Sequence, residues 1–123
     1  MGLDMYLTGE RYFSREKYRE PGLIGERYQL GYWRKHPNLH GHIVQEFANG
    51  EDDCHEISLT QDDLLAIIEA IENNRLPVTT GFFFGESDGS EKERDLQIFR
   101  DAVTWLEAPD ESASRFITYQ ASW

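Results

Sequence analysis

Three of the four histidines, His36, His40 and His42, lie within residues 31–44 (GYWRKHPNLHGHIV), and the single cysteine, Cys54, is followed directly by the fourth, His55. These residue types bind zinc, but zinc takes four N or S ligands, commonly in spaced pairs. His36 and His40 are four apart and could share a helix face, yet His36 falls at the helix cap. His42 points away from His40 by about 200° at 3.6 residues per turn. Cys54 and His55 are adjacent, so on a strand they project to opposite faces. This spacing argues against a metal, and no cofactor is expected. A nucleophilic Cys54 would need a cation or histidine close by to favour the thiolate. Its neighbours Asp52, Asp53 and Glu56 act the other way, so a buried small hydrophobe is expected.

A second group of residues suits anion or small-ligand chemistry. Arg34 and Lys35 precede a helix start, where backbone N–H groups attract anions. Arg34 can grip a carboxylate or phosphate at two points, or pair with one of the many local acids. Thr79 and Thr80 stand beside Gly81, but the GxxxxGK[ST] pattern of a phosphate loop is missing. The aromatic run at 82–84 is expected to plug the core instead. Asp4 and Tyr6 lie on the polar face of the first strand, Gln120 and Ser122 on the mixed face of the last. If those strands pair, they line one shallow pocket with Arg34. Asp4 or His40 would then be the general base, and Tyr6, Arg34, Thr80 and Gln120 the ligand-binding groups. The plainer alternative is a solvated sheet face.

The elements that must position these residues are legible from periodicity. Alternation of Leu3, Met5 and Leu7 with Asp4, Tyr6 and Thr8 predicts a strand over 3–13. Residues 14–25 are a long charged connection with a Pro21-Gly22 turn. A second strand is predicted over 27–35, with Tyr28, Leu30 and Tyr32 on one face, Trp33 on the other, and Gly31 marking a bulge or close approach. Pro37 fits the first position of a helix; Leu39, Ile43, Val44 and Phe47 continue it, and Asn49-Gly50 ends it. A short strand is predicted over 54–59. Thr60 and Asp63 resemble a capping box opening a helix over 60–74 with Leu64, Leu65, Ile67, Ile68 and Ile71 as its stripe. A last helix is predicted over 91–108, with Leu96, Phe99, Ala102, Val103 and Leu106 inward. Residues 115–123 form a closing strand, with Ile117, Tyr119, Ala121 and Trp123 on one face. Without regular βαβ alternation the expectation is one α+β domain, an antiparallel sheet of about four strands with three helices mainly on one face.

Charge narrows the function classes. The 123 residues carry a net charge of −11. Residues 1–35 hold seven Lys/Arg against five Asp/Glu, whereas 36–123 hold five against eighteen. Such a chain repels the phosphate backbone, so direct nucleic-acid binding through a broad basic surface is disfavoured. The acid serves solubility or faces a basic partner. No apolar run approaches the roughly 18 residues that span a bilayer, and the opening MGLDMYL lacks a secretory pattern. A lone cysteine suits a reducing cytoplasm.

The blocks at 2–7 (GLDMYL), 31–35 (GYWRK) with Asn38-Leu39-His40, 77–85 (PVTTGFFFG) and 119–123 (YQASW) together resemble a family of small bacteriophage and prophage proteins. The blocks span nearly the whole chain in the same order. Some members carry a phosphoglycerate kinase label, which a chain of this length without a phosphate loop does not support. The segment 86–93 departs from the aromatic-rich version of the family. The resemblance implies a phage or prophage origin and a host-cytoplasmic setting, without supplying an activity. The leading expectation is therefore an accessory protein that binds a host or phage protein. One version is nucleic-acid mimicry, with Asp62, Asp63, Glu69, Glu72, Glu91, Glu93, Asp95, Asp101 and Glu107 forming one acidic surface. The alternatives are a small enzyme or anionic-ligand-binding domain with the pocket described above, and a homodimer packed through Trp33 or Trp123.

Overall fold

Strand β1 (Asp4–Phe13) is the centre of the fold. Met5 and Leu7, with Leu3 just before the strand, are fully buried, whereas Tyr6 is exposed, so the period of two read from the sequence sets which face meets the core. The computed structural model describes residues 2–14, 20–81 and 85–123. The predicted aromatic plug at 82–84 lies outside the described residues.

β1 pairs antiparallel with β2 (Gly25–Arg34) on one side and β4 (Ala113–Ser122) on the other. A short β3 (Ile57–Leu59) pairs antiparallel with β4. The four-stranded order is β2-β1-β4-β3. Helices α1 (Pro37–Phe47), α2 (Gln61–Glu72) and α3 (Lys92–Glu107) complete an α+β domain. They cover the face that carries Leu3, Met5, Leu7, Ile57, Leu59, Ile117 and Tyr119, all buried. The other face is left to solvent, the expected division for an antiparallel sheet.

Local signals explain most of the helices. Thr60 and Asp63 form the predicted capping box: Asp63 N–H donates to Thr60 Oγ1 at 3.2 Å and Thr60 N–H donates to Asp63 Oδ2 at 2.9 Å. Leu64, Ile67, Ile68 and Ile71 then face inward. Pro37 stands in the first turn of α1 as expected. Phe99 and Ala102 of α3 are fully buried, and Phe99 stacks on Trp33 with centroids 5.6 Å apart.

Four expectations change. Pairing shifts register between Leu7 and Thr8, so Leu30 is an extra residue on β2. The bulge brings Leu30 to the helix side beside Gly31: a Cβ on Gly9 would meet Leu30, and one on Gly31 would meet Ile98 and Trp33. Tyr28, which contacts Trp105 of α3, therefore shares the helix side with Leu30 and Trp33, and Tyr32 faces the other way; simple alternation cannot survive an inserted residue. β3 starts at Ile57 rather than at 54, because Cys54 takes a left-handed φ of 64° that a strand cannot continue. Cys54 is half-buried, not buried. Finally, Trp33 is only 2% exposed, which removes it as a dimer contact.

Candidate functional site

The pairing register puts four of the six predicted site residues side by side. Asp4 lies opposite both Arg34 and Ser122, and Tyr6 lies opposite both Tyr32 and Gln120. Asp4, Tyr6, Arg34 and Gln120 thus occupy adjacent positions on the helix-free face. Asp4 accepts a hydrogen bond from the Tyr32 hydroxyl at 2.6 Å and from Arg34 Nη1 at 3.0 Å. The Tyr32 bond, aided by the Arg34 charge, holds the Asp4 carboxyl below its usual range. The same bond pushes the Tyr32 phenol up. Gln120 Nε2 donates to the Cys54 carbonyl at 2.9 Å. None of the cavities beside His36, His40 and His42 is lined by Asp4, Tyr6, Arg34 or Gln120.

His40 does not join them. It is 2% exposed on the helix side of the sheet. Its Nδ1 is 2.6 Å from the Tyr119 hydroxyl and its Nε2 is 2.9 Å from Asp52 Oδ1. An ionised carboxylate only accepts, so Nε2 carries the proton and Nδ1 accepts from Tyr119. Burial pushes the His40 imidazole down, against the opposing pull of Asp52, and burial pushes the Tyr119 phenol well up. The adjoining cavity is about 10 Å³, too small for more than a water. A general base needs reach to a substrate proton; His40 instead ties α1 to β4 and to the turn at 52. Thr80 is exposed on the segment that Thr79 anchors to α1, where Thr79 N–H donates to Asn38 Oδ1 at 3.0 Å.

The continuous acidic surface required for nucleic-acid mimicry is interrupted. Asp95 is 1% exposed, where it accepts from Trp33 Nε1 at 2.7 Å and lies 2.6 Å from His36 Nε2. Asp63 is held in the capping box. Glu69 pairs with Arg75 at 2.6 Å and Glu72 with Arg100 at 2.8 Å.

The uncovered sheet face is more distinctive. Tyr6 is 37% exposed, Tyr12 45% and Phe116 51%. Tyr6 meets Tyr32 at 5.2 Å between centroids, and Tyr12 meets Phe116 at 6.0 Å. The charges between the rings come in opposite pairs: Arg34 with Asp4, and Arg27 with Glu10 at 3.1 Å and Glu56 at 3.8 Å. Tyr6 was legible as a ligand group; Tyr12 and Phe116 were not, although alternation alone puts both on the Tyr6 face.

At the opposite end of the sheet Asp110 holds two guanidinium groups, Arg11 Nε and Arg115 Nε, each 2.8 Å from Oδ2. These bonds, with one from Ser112, hold the Asp110 carboxyl far below the usual range. Arg115 also covers Trp105 at 4.8 Å, so this cluster closes the core. Among the described residues no group of three or more His, Cys, Asp or Glu is placed to hold a metal ion, and no helix is long and apolar enough to cross a membrane. In comparisons with known proteins, no family model, no curated protein and no solved structure matches the chain.

Proposed function

We propose that this chain is a protein-binding accessory domain, of the phage or prophage setting that its sequence resemblance implies, acting in the host cytoplasm. The observation that supports this reading is the helix-free sheet face with Tyr6, Tyr12 and Phe116 exposed among paired charges. Tyrosine, phenylalanine and arginine are the residues that protein interfaces favour, and a contiguous exposed apolar patch marks such sites. The cations on this face already face carboxylates, so it offers little net attraction to a polyanion, and the chain as a whole carries −11. A host or phage protein with a matching apolar surface is the partner that fits.

The alternative, a small-ligand or enzymatic site built on Asp4, Tyr6, Arg34 and Gln120, has those residues at adjacent strand positions, but His40 and Thr80 lie elsewhere. Photo-crosslinking residues placed at 6 and 116 identify the partner, and its recovery is then measured against Tyr6→Glu and Phe116→Glu. We expect at least tenfold weaker binding in either variant and little change in Glu69→Lys or Glu72→Lys. The reverse pattern sinks the proposal. If sedimentation shows a dimer that Phe116→Glu dissociates, the partner is a second copy of the chain.

A further inference from the structure

The residue at the cap of α1 brings together three groups that the protein-binding reading does not use. His36 is 4% exposed and makes no cap bond to its own helix. Its Nε2 is 2.6 Å from Asp95 Oδ2, and its Nδ1 is 2.6 Å from Ser87 Oγ. Asp95 is fixed by Trp33 Nε1 at 2.7 Å. An ionised carboxylate only accepts, so His36 carries its proton on Nε2 and leaves the Nδ1 lone pair for the Ser87 hydroxyl. The result is a hydroxyl, a base and an orienting carboxylate in line, the geometry by which a serine nucleophile is recognised on unrelated folds. Both ring nitrogens exchange their usual partners, which the chemistry permits.

Room for a substrate lies beside the hydroxyl. A cavity of about 170 Å³ is lined by His36, Asn38, Ser87, Glu91, Lys92 and Asp95 among others. The Asn38 backbone N–H, in the first turn of α1, points at Ser87 Oγ from 3.1 Å. That bond holds the Ser87 oxygen beside the cavity, with its hydroxyl proton left to His36 Nδ1. Glu91 Oε2 lies 3.4 Å from His36 Nδ1, and its Oε1 is buried without a hydrogen-bond partner. A buried acceptor without a donor is costly, so the wall favours an acyl group bearing a donor or no charge over an anionic one.

We infer that Ser87 is an acyl-transfer nucleophile, with His36 as its base and Asp95 as a positioning residue, acting on small neutral or cationic esters. Ser87 Oγ bonds to the carbonyl carbon, its proton passes to His36 Nδ1, and the carbonyl π pair moves to oxygen. The adduct collapses as the C–O bond to the alcohol breaks and His36 returns the proton to the departing oxygen. Water, deprotonated by the same nitrogen, then releases the acid and regenerates Ser87.

The test is labelling with a biotinylated fluorophosphonate, read by intact mass and peptide mapping, alongside hydrolysis of p-nitrophenyl acetate. We expect one adduct on Ser87, and at least 100-fold slower labelling and turnover in Ser87→Ala and His36→Gln, with Ser90→Ala unchanged. Mono-p-nitrophenyl succinate should be at least tenfold poorer than the acetate. Asp95→Asn keeps an acceptor for Trp33 but turns an N–H toward His36, so kcat should fall by roughly 10²–10⁴ with KM little changed. Ser87→Cys keeps a group at the cap of α1 and should trade fluorophosphonate for iodoacetamide reactivity. Absence of the Ser87 adduct on folded wild-type protein, or wild-type rates in Ser87→Ala, overturns the inference and leaves Ser87 as a cap for α1.

Discussion

His40, which is buried, and Asp110, which is half-buried, are both titratable groups with geometric partners, and they respond to pH in different windows. Burial lowers the His40 pKa from an ordinary 6.5, and burial lowers that of His42 as well. The unfolded chain therefore binds these protons more readily than the folded one. Their stabilising effect is present above pH 6.5 and is lost as pH falls from there toward the folded values. Asp110 is lowered from 3.8 by Arg11, Arg115 and Ser112, so its contribution persists until the pH falls below about 3.8. Thermal melts from pH 8 to 2 should show two declines. His40→Gln should reduce the upper one and Asp110→Asn the lower. A melting temperature flat between pH 7 and 5 would contradict the placement of His40. At this scale the sequence was only partly informative. Asp4 with Arg34 was legible because β1 alternates clearly and Arg34 lies past the inserted Leu30, where alternation with Tyr32 and Trp33 holds. Asp95 with His36 and Trp33 was not, because that contact joins residues about sixty positions apart and only the packing of α3 on β2 creates it.

The elements themselves followed their local signals closely, and the exceptions have identifiable causes. Capping, proline position and apolar period placed the helices; an inserted residue at Leu30 and a left-handed Cys54 displaced the details of β2 and β3. Two predictions belong to this scale. Thr60→Ala removes one half of the capping box and should cost about 1 kcal/mol by urea denaturation. Gly41→Ala would bring a Cβ to 2.0 Å from Thr79 Oγ1 and 2.8 Å from its Cβ, so the anchored segment after α2 must shift. The loss should exceed that of Thr60→Ala, and Thr79→Gly in the same chain should recover part of it. Simple additivity of the two substitutions would contradict this contact.

For the molecule as a whole, acidity and function separate. Much of the acid on α2 and α3 is engaged in a cap, in the core or with arginines, and the face proposed for binding has matched charges. Binding to the partner should therefore vary little between about 50 and 300 mM salt, whereas a mimic of nucleic acid would weaken steeply over that range. The order of the strands carries a separate consequence for biosynthesis. β4 follows every other element along the chain, yet it stands between β1 and β3. Until it leaves the ribosome, β1 has only its hairpin partner and β3 has no neighbour in the sheet. The apolar faces of α1 and α2 must meanwhile wait for Ile117 and Tyr119. Closure of long loops is slow and leaves such surface open, so a ribosome-stalled chain ending before Ala113 should be protease-sensitive throughout, and resistance should appear in one step once β4 emerges.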